Sequence, residues 1–282
     1  DDSINKLRKY LPDNLVYRIA RTRNVAFSLG SYQISRRFPE KTKAFLLAQV
    51  EKQLGPDFDM KHFTPNYNPW DERLCAVTNG DLFKAIRKDK ASIVTDHIKK
   101  FTKDGILLTS GEFIDADIIV TATGLNVQML GGIELSVDNR KFNITEKMLY
   151  KGVLIEDLPN LGLVFGYTNA SWTLKADLVS EYVCRLINQM DNANMCKCTA
   201  HNNDKKVHHS PFLDMRSGYI QRALDKVPQQ GSHLPWKLYQ NYALDMAMLR
   251  LGKMNDDIIR LSHPKTKLRR GSATQKVETL MQ

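Results

Sequence analysis

The chain has 282 residues, 42% of them hydrophobic, with 41 basic and 31 acidic side chains. That length and apolar content suit one large globular domain or two ordinary ones and exclude wholesale disorder. The +10 formal charge is uneven: residues 1–52 carry eleven Lys/Arg against five Asp/Glu, residues 265–282 carry five against one, and the stretch between is balanced. A basic surface would have to be assembled from the chain ends, so no nucleic-acid partner is expected, and a weak membrane-surface association is a secondary reading. Four cysteines are too few for a disulfide scaffold, no apolar leader precedes the first charges, and no run reaches the roughly 18 apolar residues of a membrane span. The setting expected is reducing and cytoplasmic, with peripheral membrane attachment at most. The first residue, Asp1, leaves open processing, trimming, or the back part of a longer chain.

Helices come first. Leu15, Val16, Ile19, Val25, Ala26 and Leu29 recur at helical spacing among Arg18, Arg21 and Arg23. Pro39 suits a first helical position, and Gly55-Pro56 stops the helix that follows. The pair reads as basic and amphipathic, with a solvated face and an apolar underside. From Phe63 to Trp70 two prolines impose a loop, which leads into Asp71, Glu72 and Arg73. A short helix is expected around Asp81–Arg87, and then an antiparallel meander over Ser92–Thr95, Ile106–Thr109 and Glu112–Ile114. Residues 117–124 (DIIVTATG) and 161–167 read as strands covered on both faces, as in α/β sheets. The second passes through Asn169-Ala170-Ser171 into a long helix striped by Leu174, Leu178, Tyr182 and Leu186. Beyond Asp191 the pattern loosens, and residues 265–282 read as a polar basic tail.

Two loops sit where open α/β sheets bind ligands, at the carboxyl ends of buried strands. At the first, Ala122, Thr123 and Gly124 remove bulk and let backbone approach a flat or charged group; a plain tight turn is the alternative. At the second, Ser171-Trp172-Thr173 opens a helix, where amides and the helix dipole favour an anionic or polar group; capping by Asn169 or Ser171 is the plainer account. Arg73 offers a permanent cation, either for a developing anion or for a surface pair with Asp71 or Asp81. Cys196 and Cys198 with His201, His208 and His209 resemble half a zinc site, but the spacing is tight and polar, and no metal is expected. None of the fifteen glycines forms a phosphate-cradling fingerprint, so the chain holds no complete dinucleotide site of the usual kinds.

The segments FTPNYNPWDERLC (63–75), NGDLFKAI (79–86), DIIVTATGLN (117–126) and FGYTNASWTLKAD (165–177) closely resemble the flavin-containing monooxygenases. Within that superfamily the text is nearest to Baeyer–Villiger monooxygenases of the mycobacterial ethionamide-activating type. The likeness runs from about Leu7 to Pro264 and implies a carboxyl-terminal portion, with the FAD and NADPH fingerprints upstream. The fold implied is α/β, part of a two-dinucleotide-binding-domain (Rossmann-like) flavoprotein with a helical N-terminal part and a small antiparallel meander. Residues 1–90 would then finish an NADPH domain, residues 91–190 would close an FAD domain, residues 191–264 would form a C-terminal extension, and residues 265–282 the tail. The resemblance also implies cofactors FAD and NADPH, and transfer of one atom of O2 through a C4a-peroxyflavin to a ketone or a sulfur or nitrogen centre. Arg73 would be the catalytic cation. Ala122, Thr123, Gly124, Asn169, Ser171, Trp172, Thr173 and Leu174 would lie near the cofactor, and Tyr67 and Trp70 near the substrate. The competing expectation is a catalytically inactive remnant or split-gene product that binds a partner chain or a membrane. Oligomeric state is not legible.

Overall fold

Seven α-helices, a meander and several two-residue ribbons are laid out in chain order among the described residues, and the core gathers in the second half. The computed structural model describes residues 2–75, 77–213, 215, 217–254 and 256–263, so the expected tail lies outside the described residues. Helix α1 (Asp2–Leu7) leads into α2 (Asp13–Arg37), which runs on past Leu29 to the residue pair before Pro39. Phe38 leaves the helical region (φ −132°), as the residue before a proline must, and Pro39 then starts α3 (Pro39–Leu54). Gly55, at φ +98°, ends it with a conformation that side chains disfavour. Helix α4 (Asp81–Arg87) follows the proline loop where the sequence puts it.

The meander pairs β1 (Ile98–Phe101), β2 (Gly105–Leu108) and β3 (Phe113–Asp115), all antiparallel. Its first strand corrects the expectation of Ser92–Thr95. Pairing across the tight turn at Asp104-Gly105 places Phe101 opposite Ile106 and Lys100 opposite Leu107, and this cross-strand pairing outweighs the charge of Lys99 and Lys100. Further ribbons are β4 (Ser136–Val137) with β5 (Arg140–Lys141), and β6 (Leu149–Tyr150) with β7 (Leu154–Ile155). Helix α5 (Trp172–Asn192) comes next, then β8 (Lys197–Ala200), β9 (His209–Ser210), α6 (Gly218–Gln221), β10 (Gln230–Gly231), α7 (Tyr242–Met246) and β11 (Ile259–Ser262). Strand β11 pairs β8, and β10 pairs β9.

Every ladder among the described residues is antiparallel, so the architecture is mixed α/β with small antiparallel sheets rather than a visible parallel sheet. Residues 117–124 and 161–167, expected as covered strands, join no ladder apart from a single bridge between Gly162 and Leu154. Ile118 and Val120 are 82% and 83% exposed. Residues 117–124 have the composition of a doubly buried strand, but a strand exists only with a neighbour to exchange hydrogen bonds, and none of the described residues supplies one. At 161–167 the pairing stops at the Gly162 bridge and the Leu163 amide, which donates to the Val153 carbonyl at 2.7 Å.

The core crosses residue 190 without a break. Met148, Tyr150, Tyr167, Leu178, Tyr182 and Leu186 pack with Ala200, Trp236, Tyr242, Leu249 and Ile259 in one cluster. A second cluster joins Leu149, Ile155 and Leu158 to Phe212, Leu213, Ala223 and Val227. The alternation of β6 explains the division, because Leu149 points to one cluster and Tyr150 to the other. No helix among the described residues is long and apolar enough to cross a membrane.

Candidate functional site

The proline loop is fixed from below by α2. Tyr32 and Arg36, one turn apart on that helix, meet Trp70 and Asp71: the rings lie edge-to-face at 5.4 Å, and Arg36 Nη1 donates to Asp71 Oδ1 at 2.8 Å. Asp71 Oδ2 also accepts from the Asn68 amide at 3.2 Å. Trp70 takes φ +71°, unusual for an aromatic residue, and turns the chain toward Arg73. Arg73 is exposed and has no carboxylate partner among the described residues; Asp71 pairs with Arg36 and Asp81 with Lys84. The surface pairing open to Arg73 in the sequence is not made.

The facing wall is the turn into α5. Gly166 is required there, since a Cβ at that position would lie 2.2 Å from Trp172 Cγ. The Trp172 ring stands 5.3 Å from Phe165, whose other side meets Phe212 at 4.7 Å. Neither expected cap is one. Asn169 is buried and its Nδ2 donates to the Gln240 carbonyl at 2.9 Å, while Ser171 Oγ lies 2.8 Å from Thr173 Oγ1 and bonds no helix amide. The first turn of α5 therefore presents its amides without a side-chain cap.

Between these walls lies a cavity of about 250 Å³, shared by Arg73, Phe165, Gly166, Tyr167, Thr168 and Trp172. Leu125, Val127 and Met129 line a second side, and Phe212, Tyr219, Ile220, Ala223 and Val227 a third. Among the described residues the lining is apolar and aromatic, with the guanidinium of Arg73. A polar cleft of about 750 Å³ adjoins it through Thr168, Phe212 and Leu213 and is lined by Tyr32, Arg36, Trp70, Lys237 and Gln240.

The structure thus brings Arg73 and Trp172 together, places Trp70 in the adjoining cleft, and leaves Tyr67 exposed outside both cavities. Ala122, Thr123 and Gly124 are exposed and line neither, although the next residue, Leu125, does. Leu174 belongs to the core, and Ser171 and Thr173 lie exposed at the helix start. The third wall was not anticipated. Its signal is the spacing Tyr219, Ile220, Ala223, Leu224, Val227 between Pro211 and Pro228, one apolar stripe at helical intervals. The cysteine–histidine group is dispersed: Cys198 is buried, Cys196 Sγ lies 3.9 Å from His263 Nδ1, and His201 Nδ1 bonds Asp157 Oδ1 at 2.5 Å. No group of three or more metal-ligating side chains occurs among the described residues.

The chemistry of the lining decides what the site suits. A chamber lined by Phe165, Trp172, Tyr219 and the Arg73 cation, with uncapped helix amides at Trp172, fits a flat conjugated ring with polar edge atoms. A pyrophosphate finds no glycine-rich cradle among these residues. The FAD-containing monooxygenase EthA of Mycolicibacterium smegmatis is 48% identical over 258 residues, 91% of this chain and 52% of that protein. The chain is a relative of the FAD-containing monooxygenases. The putative FAD-containing monooxygenase MymA of Mycobacterium tuberculosis is 48% identical over 254 residues, and the probable FAD-binding monooxygenase AlmA of an Acinetobacter species 45% over 255. Each match covers 90% of this chain and 51% of the relative. The chain spans about half the length of these FAD-containing relatives. No protein-family profile matches it, and no solved structure does.

Proposed function

We propose that the chain is the carboxyl-terminal half of an FAD- and NADPH-dependent monooxygenase that inserts one oxygen atom of O2 into a ketone, a Baeyer–Villiger reaction. The observation that carries this reading is the shared cavity of Arg73 and Trp172, in a chain whose relatives are FAD-containing monooxygenases. Phe165, Trp172 and the first amides of α5 would hold the ring of the flavin, while its phosphates and those of NADPH would be held by residues outside this chain. FAD held there would supply the activation of O2, with NADPH as the source of electrons.

The residues of this chain do the rest. The guanidinium of Arg73 stabilises the negative charge that develops on the substrate oxygen. The apolar walls exclude water and so strengthen that interaction. The adjoining cleft gives a ketone substrate a route alongside Trp70 and Thr168. Oxygenation of sulfur or nitrogen centres uses the same chamber with less demand on the cation.

The test is to express the chain joined to the upstream half that its relatives possess. A yellow protein that oxidises NADPH and converts a ketone to an ester supports the proposal. A colourless protein that consumes no NADPH returns the chain to a binding role.

A further inference from the structure

Behind the turn that faces the cavity lies a buried charge cluster with no part in the reaction above. Asp245, on α7, is 6% exposed. Its Oδ2 accepts from the Tyr167 hydroxyl at 2.7 Å and pairs with Lys175 Nζ at 2.9 Å. Tyr167 is 1% and Lys175 5% exposed. These two partners bracket the turn, Tyr167 on its entry side and Lys175 in the first turn of α5. The residues just before α7 reach the turn itself: Gln240 Oε1 accepts from the Thr168 amide at 3.0 Å, and the Gln240 carbonyl accepts from Asn169 Nδ2 at 2.9 Å. Asn241 caps α7 by accepting from the amides of Ala243 and Leu244, which fixes Asp245 relative to Gln240.

We propose that Asp245 is a positioning residue: through Tyr167 and Lys175 it holds residues 166–172 in the conformation that sets Trp172 and the α5 amides against the cavity. A buried ion pair is poor evidence for stability, since apolar residues of equal volume do as well or better, but it fixes one geometry where apolar contacts tolerate several. The comparison lies within the same chain. Tyr150, Lys151 and Asp256 form a second cluster of the same chemistry, with Tyr150 donating to Asp256 Oδ2 at 2.5 Å and Lys151 Nζ 3.5 Å away, and it lines neither the cavity nor the turn. Two clusters of like composition thus differ in what they touch. The functional consequence rests on the reading of the turn as a flavin contact; the brace itself does not.

The experiment measures amide hydrogen exchange across residues 166–174 in the 282-residue chain. Asp245→Asn is expected to speed exchange there by about tenfold, while Asp256→Asn, with a comparable loss of thermal stability, leaves it within about twofold. Tyr167→Phe removes one arm without stranding a charge and serves if Asp245→Asn does not fold; it is expected to give a smaller rise in the same amides. Unchanged exchange in these variants, or an equal rise in Asp256→Asn, overturns the brace. The second arm measures FAD retention and ketone turnover in the polypeptide that also carries the upstream half. Asp245→Asn is expected to lower kcat about tenfold with little change in KM, and Asp245→Glu to recover part of it. Faster exchange with unchanged FAD retention and turnover leaves the brace standing and removes the flavin assignment of the turn.

Discussion

Arg73 and Trp172 line one cavity although unrelated elements carry them, a proline loop tied to α2 through Arg36–Asp71 and the first turn of α5. Their meeting gives the cation a target. Arg73 is exposed, has no carboxylate partner among the described residues and lines an aromatic chamber, which suits the proposed pairing with charge that appears only during a reaction.

Arg73→Ala, in the polypeptide carrying both halves, is expected to lower ketone oxygenation by about 10²–10³-fold, the usual loss when one donor to a developing anion is removed. NADPH should still bleach the flavin. Product analysis by gas chromatography beside stopped-flow absorbance separates the two steps, and ester formation near the wild-type rate withdraws the role from Arg73.

Gly166→Ala forces a methyl group to within 2.2 Å of Trp172 Cγ, so the indole must move or the backbone must shift. Overpacking of this kind costs about 1–3 kcal/mol. Denaturant titration should show that loss, and the fluorescence of Trp172, isolated by Trp70→Phe and Trp236→Phe, should shift to the red as the ring swings into solvent. An unshifted spectrum with unaltered stability means that the ring and Gly166 are not in contact.

Asp157 links β7 to β8. Burial pushes its carboxyl up, but hydrogen bonds from Lys147 (2.7 Å) and His201 (2.5 Å) outweigh this and hold it below the usual carboxylate range. A folded-state pKa depressed in this way gives stability that is present above the unfolded value, about 4, and is lost as pH falls through the folded value. Because both partners are about a third exposed, the contribution is on the order of 1 kcal/mol. Asp157→Asn suits the site, where φ is +61°, and should cost this amount at pH 7 and nearly nothing at the acid end of the transition, as read from urea midpoints. An equal cost at both ends rejects the ionic origin.

Burial pushes the Cys198 thiol up to about 11, whereas Cys75, Cys184 and Cys196 are exposed. Reaction with iodoacetamide at pH 8 should therefore label those three and spare Cys198 until denaturant is added. Mass spectrometry of tryptic peptides reads the order directly, and early labelling of Cys198 contradicts the packing of β8 against β11.

The parts of this fold legible in the sequence are those where a local signal is also the structural cause. Pro39 and Gly55 bound α3, and the stripe of Leu174, Leu178, Tyr182 and Leu186 is the buried face of α5. Lys99 and Lys100 hid the first strand of the meander because their place in it is decided by residues across a turn, not by their own propensity. Residues 117–124 carried the composition of a strand but needed neighbours, which a local pattern cannot guarantee. At the cavity, Arg73 and Trp172 stood out as a cation after a proline loop and as a helix start, while their proposed roles came from the resemblance. Asp245 and Lys175 were missed because a charged side chain in a polar stretch looks solvated until tertiary structure closes over it. The third wall was missed because its apolar stripe is short and bounded by prolines.

The bare segment at Ile118 and Val120 has a practical consequence. β-Branched side chains more than four-fifths open to water, on backbone that joins no ladder, form a template for edge-to-edge stacking. Preparations of the 282-residue polypeptide by itself should cloud with rising ammonium sulfate and clear with mild urea, the reverse of what ionic clumping would do. Replacing Ile118 and Val120 with lysine should keep such a sample monodisperse in light scattering.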